Sequence, residues 1–151
     1  IDLIPARQRV YCVGRLDADT TGLVVITNDS FLTNKLTHPR HQVPKTYVAR
    51  VTGKVVGEQV EKLKKGIWLS EGRTARAAVR IRKKTRKESW VEITISEGLN
   101  RQVRRMLAKV GLKVKSLKRT RIGKISDRGI GIGKWRPLTP AEVDYLNSLG
   151  R

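Results

Sequence analysis

The sequence predicts a single α+β domain, in which helices flank a mixed or antiparallel sheet. Segments with strand character alternate with isolated helical segments, and their order does not follow the strict strand–helix–strand rhythm of a parallel sheet. Hydrophobic residues make up 38% of the 151 residues and are dispersed among charged ones. A chain of this length has the size of one ordinary domain and can bury a core of its own.

The amino-terminal half predicts two strands and two helices. The segment GLVVIT is a short apolar run rich in β-branched residues, which is typical of a buried strand. Asn28, Asp29 and Ser30 offer side-chain caps for the helix that follows, and Pro39 ends that helix. The four elements are a strand over residues 22–27, a helix over 31–37, a strand over 45–51 and a helix over 57–65.

The carboxyl-terminal half adds strands and two further helices. Val91, Ile93 and Ile95 alternate with polar residues, the pattern of a half-buried strand. Asn100 is the expected cap of a helix with one apolar stripe. Thr139 begins a capping box and so opens the last helix. The elements are strands over residues 75–83 and 89–97, a helix over 101–110, a strand over 113–119 and a helix that begins at Thr139.

The charge of the chain predicts a polyanionic partner. Thirty-three Lys and Arg residues against 13 Asp and Glu residues give a net charge of +20 and a sequence pI near 11.0. Solubility alone needs a net charge of only about 2 to 8, whereas a pI above about 9 is typical of nucleic-acid binding. No apolar run approaches the roughly 20 residues of a membrane span. We therefore expect a soluble, cytoplasmic protein that binds nucleic acid and does not bind membranes.

Cys12 is the only cysteine, so no disulfide can form within the chain. It lies between Tyr11 and Val13 in an apolar stretch, where a buried, small hydrophobic residue is expected. A reducing cytosol fits this composition.

The segment GRLDADTTGLVVITND, residues 14–29, is the most informative. It is a polar loop between two glycines that leads directly into a predicted strand, where a carboxylate is exposed yet firmly held. The pattern alone favours an ordinary turn in which Asp17 or Asp19 binds its own backbone, because acidic residues are common in loops. A site for a divalent cation is a third interpretation, but too few oxygen ligands are apparent.

This segment resembles the catalytic loop of the RsuA/RluB-type family of RNA pseudouridine synthases. Lys45-Thr46-Tyr47 resembles the K-x-Y strand of that family, and EGLNRQVRRM, residues 97–106, resembles its EGxxRQxRRM motif. The segments 118–123 and 133–138 are similar to the end of the family's catalytic domain. The resemblance implies the pseudouridine synthase catalytic fold across residues 1–151. It also implies that an amino-terminal part of the family's chain is missing from this sequence.

The resemblance implies an isomerase that moves uracil from its N1 bond with ribose to a C5 bond, without metal or organic cofactor. Asp17 is then the catalytic carboxylate, which either attacks the ribose or removes a sugar proton. The resemblance assigns to Arg104 the cation beside Asp17, and its position flanking the apolar stripe of the helix is compatible with that role. Without the resemblance, Arg101, Arg104 and Arg105 equally suit a solvated or phosphate-contacting face. Tyr47 is expected to stack on the target base, although a core tyrosine is the commoner fate of such a residue.

Further residues are predicted by the same resemblance to bind the substrate or RNA. Ile95 could equally be core packing, and Lys45 is expected to contact phosphate or to be structural. The predicted contacts are Arg15, Leu16, Thr20, Lys45, Ile95, Asn100, Arg101, Gln102 and Arg105.

Ribosomal RNA is the partner that the resemblance implies, and the likeness of His38-Pro39-Arg40 to the RluB-like branch of the family favours the large subunit. A monomer is expected, and the basic turn within residues 80–87 is expected to touch RNA phosphates. Two alternatives stay open. One is a non-enzymatic RNA-binding or ribosome-associated protein, and the other is a metal-dependent nuclease that uses Asp17 and Asp19.

Overall fold

A computed structural model of the protein describes residues 4–5 and 7–149, and the two ends of the predicted domain lie outside these ranges. The described part contains ten strands and four α-helices. The strands are β1 Tyr11–Val13, β2 Thr20–Gly22, β3 Val25–Thr27, β4 Lys45–Thr52, β5 Trp68–Leu69, β6 Gly72–Arg73, β7 Ala78–Lys84, β8 Glu88–Ile95, β9 Val114–Ile122 and β10 Ile125–Ser126. The helices are α1 Ser30–Thr37, α2 Gly57–Lys65, α3 Gln102–Lys109 and α4 Pro140–Ser148, and a 3-10 turn spans Pro39–His41.

A six-stranded sheet organises the molecule. Five strands follow the order β10-β9-β4-β8-β7 with antiparallel neighbours, and β2 pairs in parallel with residues 117–119 of β9. The pairs β1-β3 and β5-β6 are separate antiparallel ribbons. The predicted α+β class with a mixed sheet is confirmed.

The main core lies between one face of this sheet and the helices α2 and α3. The predicted alternation in β8 is confirmed, because Val91, Ile93 and Ile95 are buried while their neighbours are only partly so. They pack with buried side chains of α3 such as Met106 and Leu107. Full burial of an aliphatic side chain stabilises a protein by about 1.5–3 kcal/mol. A smaller core joins α1 and α4 to the β1-β3 ribbon.

The predicted strand over residues 22–27 is in fact two strands, β2 and β3, with a break at residues 23–24. Gly22 explains the break, since its φ of 119° suits glycine and a Cβ there would lie 2.2 Å from the backbone oxygen of Arg119. In β3 only Val25 is buried. Cys12 is exposed, so its predicted burial was wrong. It alternates with buried Val13 in a two-stranded ribbon that has one face against the core.

Two predicted helix caps are confirmed and one was wrong. The Asp29 carboxylate accepts hydrogen bonds from the first turn of α1, and Thr139 forms a capping box with Glu142. The N-cap of α3 is Arg101 rather than Asn100. Arg101 has a φ of 50° and a ψ of 36°, the left-handed conformation that a non-glycine residue seldom adopts. None of the helices within residues 4–5 and 7–149 has the length and apolar character to cross a bilayer.

Candidate active site

A cavity of about 270 Å³ opens where the loop before β2 faces β4, β9 and the start of α3. All three residues predicted to be catalytic, Asp17, Tyr47 and Arg104, line this cavity. Most of the predicted binding residues line it as well: Arg15, Leu16, Thr20, Lys45, Ile95, Asn100, Arg101 and Gln102. The structure thus brings the three sequence motifs together, although they are far apart along the chain.

Arg105 is the predicted contact that does not line the cavity. Its Nη1 and Nη2 atoms donate hydrogen bonds of 2.8 and 2.6 Å to the carboxylate of Glu71, and its Nε donates to the carbonyl of Asn100 at 2.9 Å. The bonds from Arg105 lower the pKa of Glu71 to about 2. Arg105 therefore connects α3 to the turn between β5 and β6 through an ion pair.

Asp17 sits in a tight turn at the rim of the cavity. Its backbone carbonyl accepts a hydrogen bond of 2.9 Å from the amide of Thr20, the first residue of β2. Its carboxylate is 40% exposed, and its Oδ2 atom lies 3.7 Å from Nη1 of Arg101. A carboxylate so held is fixed by the backbone yet open to a ligand, as a nucleophile or base must be.

Arg101 is the cation that lies beside the carboxylates of this loop. It donates two hydrogen bonds, each of 2.9 Å, to the two carboxylate oxygens of Asp19. These bonds are the main reason why the pKa of Asp19 falls to about 2, and the charge of Arg104 contributes. A fork–fork pair of this kind fixes geometry as well as charge.

Arg104 is not the partner of Asp17, contrary to the prediction. Its Nη2 donates to the backbone oxygen of Asp19, and to Oγ1 of Thr20 at 3.3 Å, while its Nε lies 3.5 Å from Oδ1 of Asp19. The prediction assumed that Arg101 lay within the helix and pointed away from the core. The left-handed conformation of Arg101 instead places its guanidinium against the loop that contains Asp17 and Asp19.

Gln102 organises the loop before α3. This buried side chain accepts a hydrogen bond of 3.2 Å from the amide of Leu99 and donates one of 3.0 Å to Glu97. The same Glu97 oxygen accepts a bond from the amide of Ala75 at 3.0 Å. The amide group of Gln102 is therefore engaged in holding the loop, which supports the position of Arg101.

Sequence reasoning missed the cavity residue Arg119 and left the role of Lys45 open. Arg119 lines the cavity and is only 4% exposed. It lies in a strongly basic stretch of the sequence, where an exposed side chain is the ordinary expectation. Burial, with a smaller effect from the charge of Arg119, lowers the pKa of the Lys45 ammonium. Lys45 and Arg119 thus form a cationic patch within the cavity.

The described residues contain no group of three or more His, Cys, Asp and Glu side chains that could hold a metal ion. Asp17 and Asp19 both face the guanidinium of Arg101, whose charge would repel a divalent cation. The cavity instead combines a carboxylate, an aromatic ring, apolar residues such as Ile95 and several cations. This set can hold a planar polar ring while the carboxylate acts on an atom beside it.

Residues 2–109 match the family model described as RNA pseudouridylate synthase. The chain belongs to this family. The chain is 46% identical over 144 residues to a ribosomal large subunit pseudouridine synthase B from Bacillus subtilis, an alignment that covers 94% of this chain and 59% of the relative. It is 41% identical over 143 residues to a ribosomal large subunit pseudouridine synthase E from Xanthomonas campestris, with 85% of this chain and 76% of the relative covered.

Solved structures agree with this assignment. A pseudouridylate synthase crystal structure superposes with a TM-score of 0.84 at 36% identity, over 91% of this chain and 59% of that one. An archaeal box H/ACA Nop10-Cbf5 complex shares the fold alone, with a TM-score of 0.57 at 19% identity over 80% of this chain and 40% of that chain. The chain spans about 59% of the length of the Bacillus relative. The predicted family and fold are confirmed.

Proposed function

We propose that this protein isomerises a specific uridine of large-subunit ribosomal RNA to pseudouridine, with Asp17 as the catalytic carboxylate. The observation that carries the proposal is the convergence of Asp17, Tyr47, Arg101 and Arg104 on one cavity. The names of the relatives from Bacillus subtilis and Xanthomonas campestris support the large subunit as the source of the substrate.

The reaction needs an ionised carboxylate beside the anomeric carbon. Breaking the glycosidic bond places positive charge on the sugar, which a neighbouring carboxylate stabilises or captures. Attack on the ribose and removal of a sugar proton both require Asp17 to be deprotonated. The guanidinium of Arg101 lies 3.7 Å from this carboxylate and places a positive charge beside it.

Tyr47 is proposed to stack on the target base. Its ring is partly exposed, it packs against the main core and it lines the cavity. A uridine must leave its helix or loop to enter such a cavity, and stacking on an aromatic ring stabilises the extruded base by about 1–3 kcal/mol. The net charge of +20 supports binding of the surrounding RNA backbone.

The direct test is to map pseudouridines in ribosomal RNA from cells in which this protein is the sole enzyme for its site. Asp17→Asn should abolish one modification, whereas Asp144→Asn should leave it intact. Asp144 is a suitable control because it is an exposed carboxylate on α4, away from the cavity lining. Persistence of the modification with Asp17→Asn would disprove the assignment of Asp17. Absence of any modification that depends on the wild-type protein would favour a purely RNA-binding role.

A further inference from the structure

Arg119 is a buried cation within the active-site cavity. Its Nε donates a hydrogen bond of 2.9 Å to the backbone oxygen of Leu23, which fixes the orientation of the guanidinium. Among residues 4–5 and 7–149, neither of its terminal nitrogens has a hydrogen-bond partner, and no carboxylate lies within ion-pair distance. Burial of a cation without an anionic partner is costly. The cost would be offset if a ligand of the cavity supplies the missing negative charge.

The sheet places Arg119 beside the predicted base-stacking residue. Tyr47 and Arg119 are direct partners across the antiparallel β4-β9 pair, and both line the cavity. A register shift in this pair of strands lies directly beside them, between Thr46 and Tyr47. Lys45 lies two residues before Tyr47 and therefore on the same face of β4, and it also lines the cavity. A base that contacts Tyr47 is thus within reach of both cations.

Most of the other charged groups of the cavity already have partners, and Arg15, which has none among the described residues, is exposed to solvent. Arg101 and Arg104 contact the loop that contains Asp17 and Asp19, and Glu97 accepts bonds from Gln102 and from a backbone amide. Lys45 has only a hydrogen bond of 3.4 Å to the carbonyl of Val43. The lowered pKa of Lys45, caused by burial and then by Arg119, is the electrostatic signature of this uncompensated positive charge. An anion in contact with both groups would relieve it.

We propose that Arg119, assisted by Lys45, stabilises the uracil ring as an anion after its bond to ribose breaks. This inference rests on the proposed function. When the bond between C1′ and N1 breaks, its electron pair stays on N1, and the charge spreads onto O2 and O4. Asp17 either forms a bond to C1′ or takes a sugar proton, and the ring leaves as the same anion by both routes. The guanidinium and the ammonium then face a delocalised negative charge in a site with little water.

The second half of the reaction also benefits from this contact. C5 of the detached ring forms a bond to C1′; on one route this breaks the bond between Asp17 and C1′, and on the other Asp17 returns the proton to the sugar. The C5 proton then passes to a base and N1 gains a proton, so the overall change is an isomerisation without oxidation or reduction. The ring must turn within the cavity before C5 can react. Cations that bind O2 and O4 keep the free ring in the cavity while it turns, which prevents its loss to solvent.

The first experiment separates turnover from binding. Single-turnover rates at saturating ribosomal RNA, read by nucleoside mass spectrometry, are compared for wild type, Arg119→Gln, Arg119→Lys and Arg121→Gln. Arg121 is the matched control, because it lies on the same strand but is exposed and outside this cavity. We expect Arg119→Gln to slow turnover by about 100-fold while RNA affinity stays nearly unchanged. Arg119→Lys should recover part of the lost rate. Arg121→Gln should turn over at the wild-type rate.

The second experiment asks whether Arg119 acts on the charge of the leaving ring. The target uridine is replaced by 5-fluorouridine, whose electron-withdrawing fluorine makes the detached ring a more stable anion. Loss of the N1-linked nucleoside then reports bond cleavage. The defect of Arg119→Gln relative to wild type should shrink with this substrate, because the better anion depends less on the cation. A purely structural role for Arg119 predicts the same defect with both substrates.

Three outcomes would overturn the inference. The rate defect of Arg119→Gln relative to wild type could be the same with uridine and with 5-fluorouridine, or the variant could lose only RNA affinity. Arg119→Gln and Arg119→Lys could also lose turnover and thermal stability to the same extent. Wild-type turnover in Arg119→Gln, alongside inactive Asp17→Asn, would refute this inference and leave the proposed function intact. A wild-type protein that forms no pseudouridine in any ribosomal RNA would refute both.

Discussion

Arg101 bridges the two carboxylates of the loop before β2: its guanidinium binds both oxygens of Asp19 at 2.9 Å and approaches Asp17 to 3.7 Å. It does so from a left-handed backbone conformation at the N-terminus of α3. A strained conformation at such a position is often maintained because function needs the resulting geometry. The geometry of Asp17 therefore depends on a residue that is itself strained.

The strain and the charge of Arg101 can be separated by substitution. A left-handed non-glycine residue costs about 1–2 kcal/mol, a cost that glycine avoids. Arg101→Gly should therefore be more stable than Arg101→Ala by about 1 kcal/mol. Urea denaturation measures this difference. Both variants should lose turnover, because both lack the guanidinium.

Arg101→Lys provides the control for this pair of variants. It keeps the positive charge but not the two-pronged bond to Asp19, so its turnover should fall between those of wild type and Arg101→Ala. Equal stability of the glycine and alanine variants would show that the backbone relaxes elsewhere once the side chain is gone.

The motifs of the sequence predicted which residues meet, but not how they are paired. Short-range patterns sufficed for the buried alternation of Val91, Ile93 and Ile95, and for the caps at Asp29 and Thr139, because those depend on neighbouring residues alone. The partner of Asp17 is Arg101 rather than Arg104, and Arg101 reaches the loop from a left-handed backbone conformation. No residue-type pattern predicts a left-handed arginine.

Burial of Arg119 was equally unpredictable from local sequence. It results from the parallel pairing of β2 with β9, two strands about a hundred residues apart in the chain. The exposure of Cys12 has a related cause, because the side of the β1-β3 ribbon that meets the core is set by packing against α1 and α4. Both errors come from long-range contacts, whereas the strand alternation and the helix caps were predicted from local patterns.

Gly22 should tolerate no side chain. A Cβ at this position would lie 2.2 Å from the backbone oxygen of Arg119, and the φ of 119° is unfavourable for other residues. We expect Gly22→Ala to destabilise the fold by at least about 2 kcal/mol, since relief of the clash must break the β2-β9 pairing. Thermal or urea denaturation measures the loss.

Gly57→Ala is the matched control for Gly22→Ala. It lies in the first turn of α2, where nothing is within 4 Å of the added carbon, and alanine favours helix by up to about 1 kcal/mol. It should leave the protein as stable as wild type or slightly more stable. Similar losses in both variants would contradict the steric explanation.

Acidification should weaken the anchoring of α4. Glu142 binds Arg136 through two hydrogen bonds of 2.7 and 2.9 Å and completes the capping box with Thr139. The bonds from Arg136 are the largest reason why the pKa of Glu142 falls from 4.5 to about 2. A folded-state pKa below the unfolded value means that this stabilisation is present above pH 4.5 and is lost as the pH falls towards 2.

Melting temperatures of wild type and Glu142→Gln should therefore converge on acidification. Glu142→Gln should melt lower than wild type at pH 6 and lose less stability between pH 5 and about pH 2. Some acid sensitivity remains in the variant, because the pKa values of Asp19 and Glu71 are lowered in the same way. Glu58→Gln, which removes an exposed carboxylate from α2, should melt in parallel with wild type at every pH.

The turn between β7 and β8 is expected to extend the RNA-binding surface far beyond the cavity. Arg80 and Arg82 are paired with Glu92, but Lys84, Arg86 and Lys87 have no ion-pair partner within the described part of the chain. This turn lies beside one end of β4, where Thr52 pairs with Glu88. Lys45 is at the opposite end of β4, next to the cavity. Seven residues of strand separate these ends, a distance of about 23 Å.

An RNA that binds both places must therefore span several nucleotides. Replacement of Lys84, Arg86 and Lys87 by Gln should weaken the binding of a long, structured ribosomal RNA fragment. It should also reduce the slope of log affinity against log salt by about 0.7–0.9 for each phosphate that is no longer neutralised. A short stem-loop that holds only the target uridine should bind almost as before. The saturating turnover rate should not change for either RNA, because no atom of the turn reaches the cavity. If the binding of the long and the short RNA weakened equally, these residues would act through the overall positive field of the protein. Such a long-range field does not require the RNA to touch the turn.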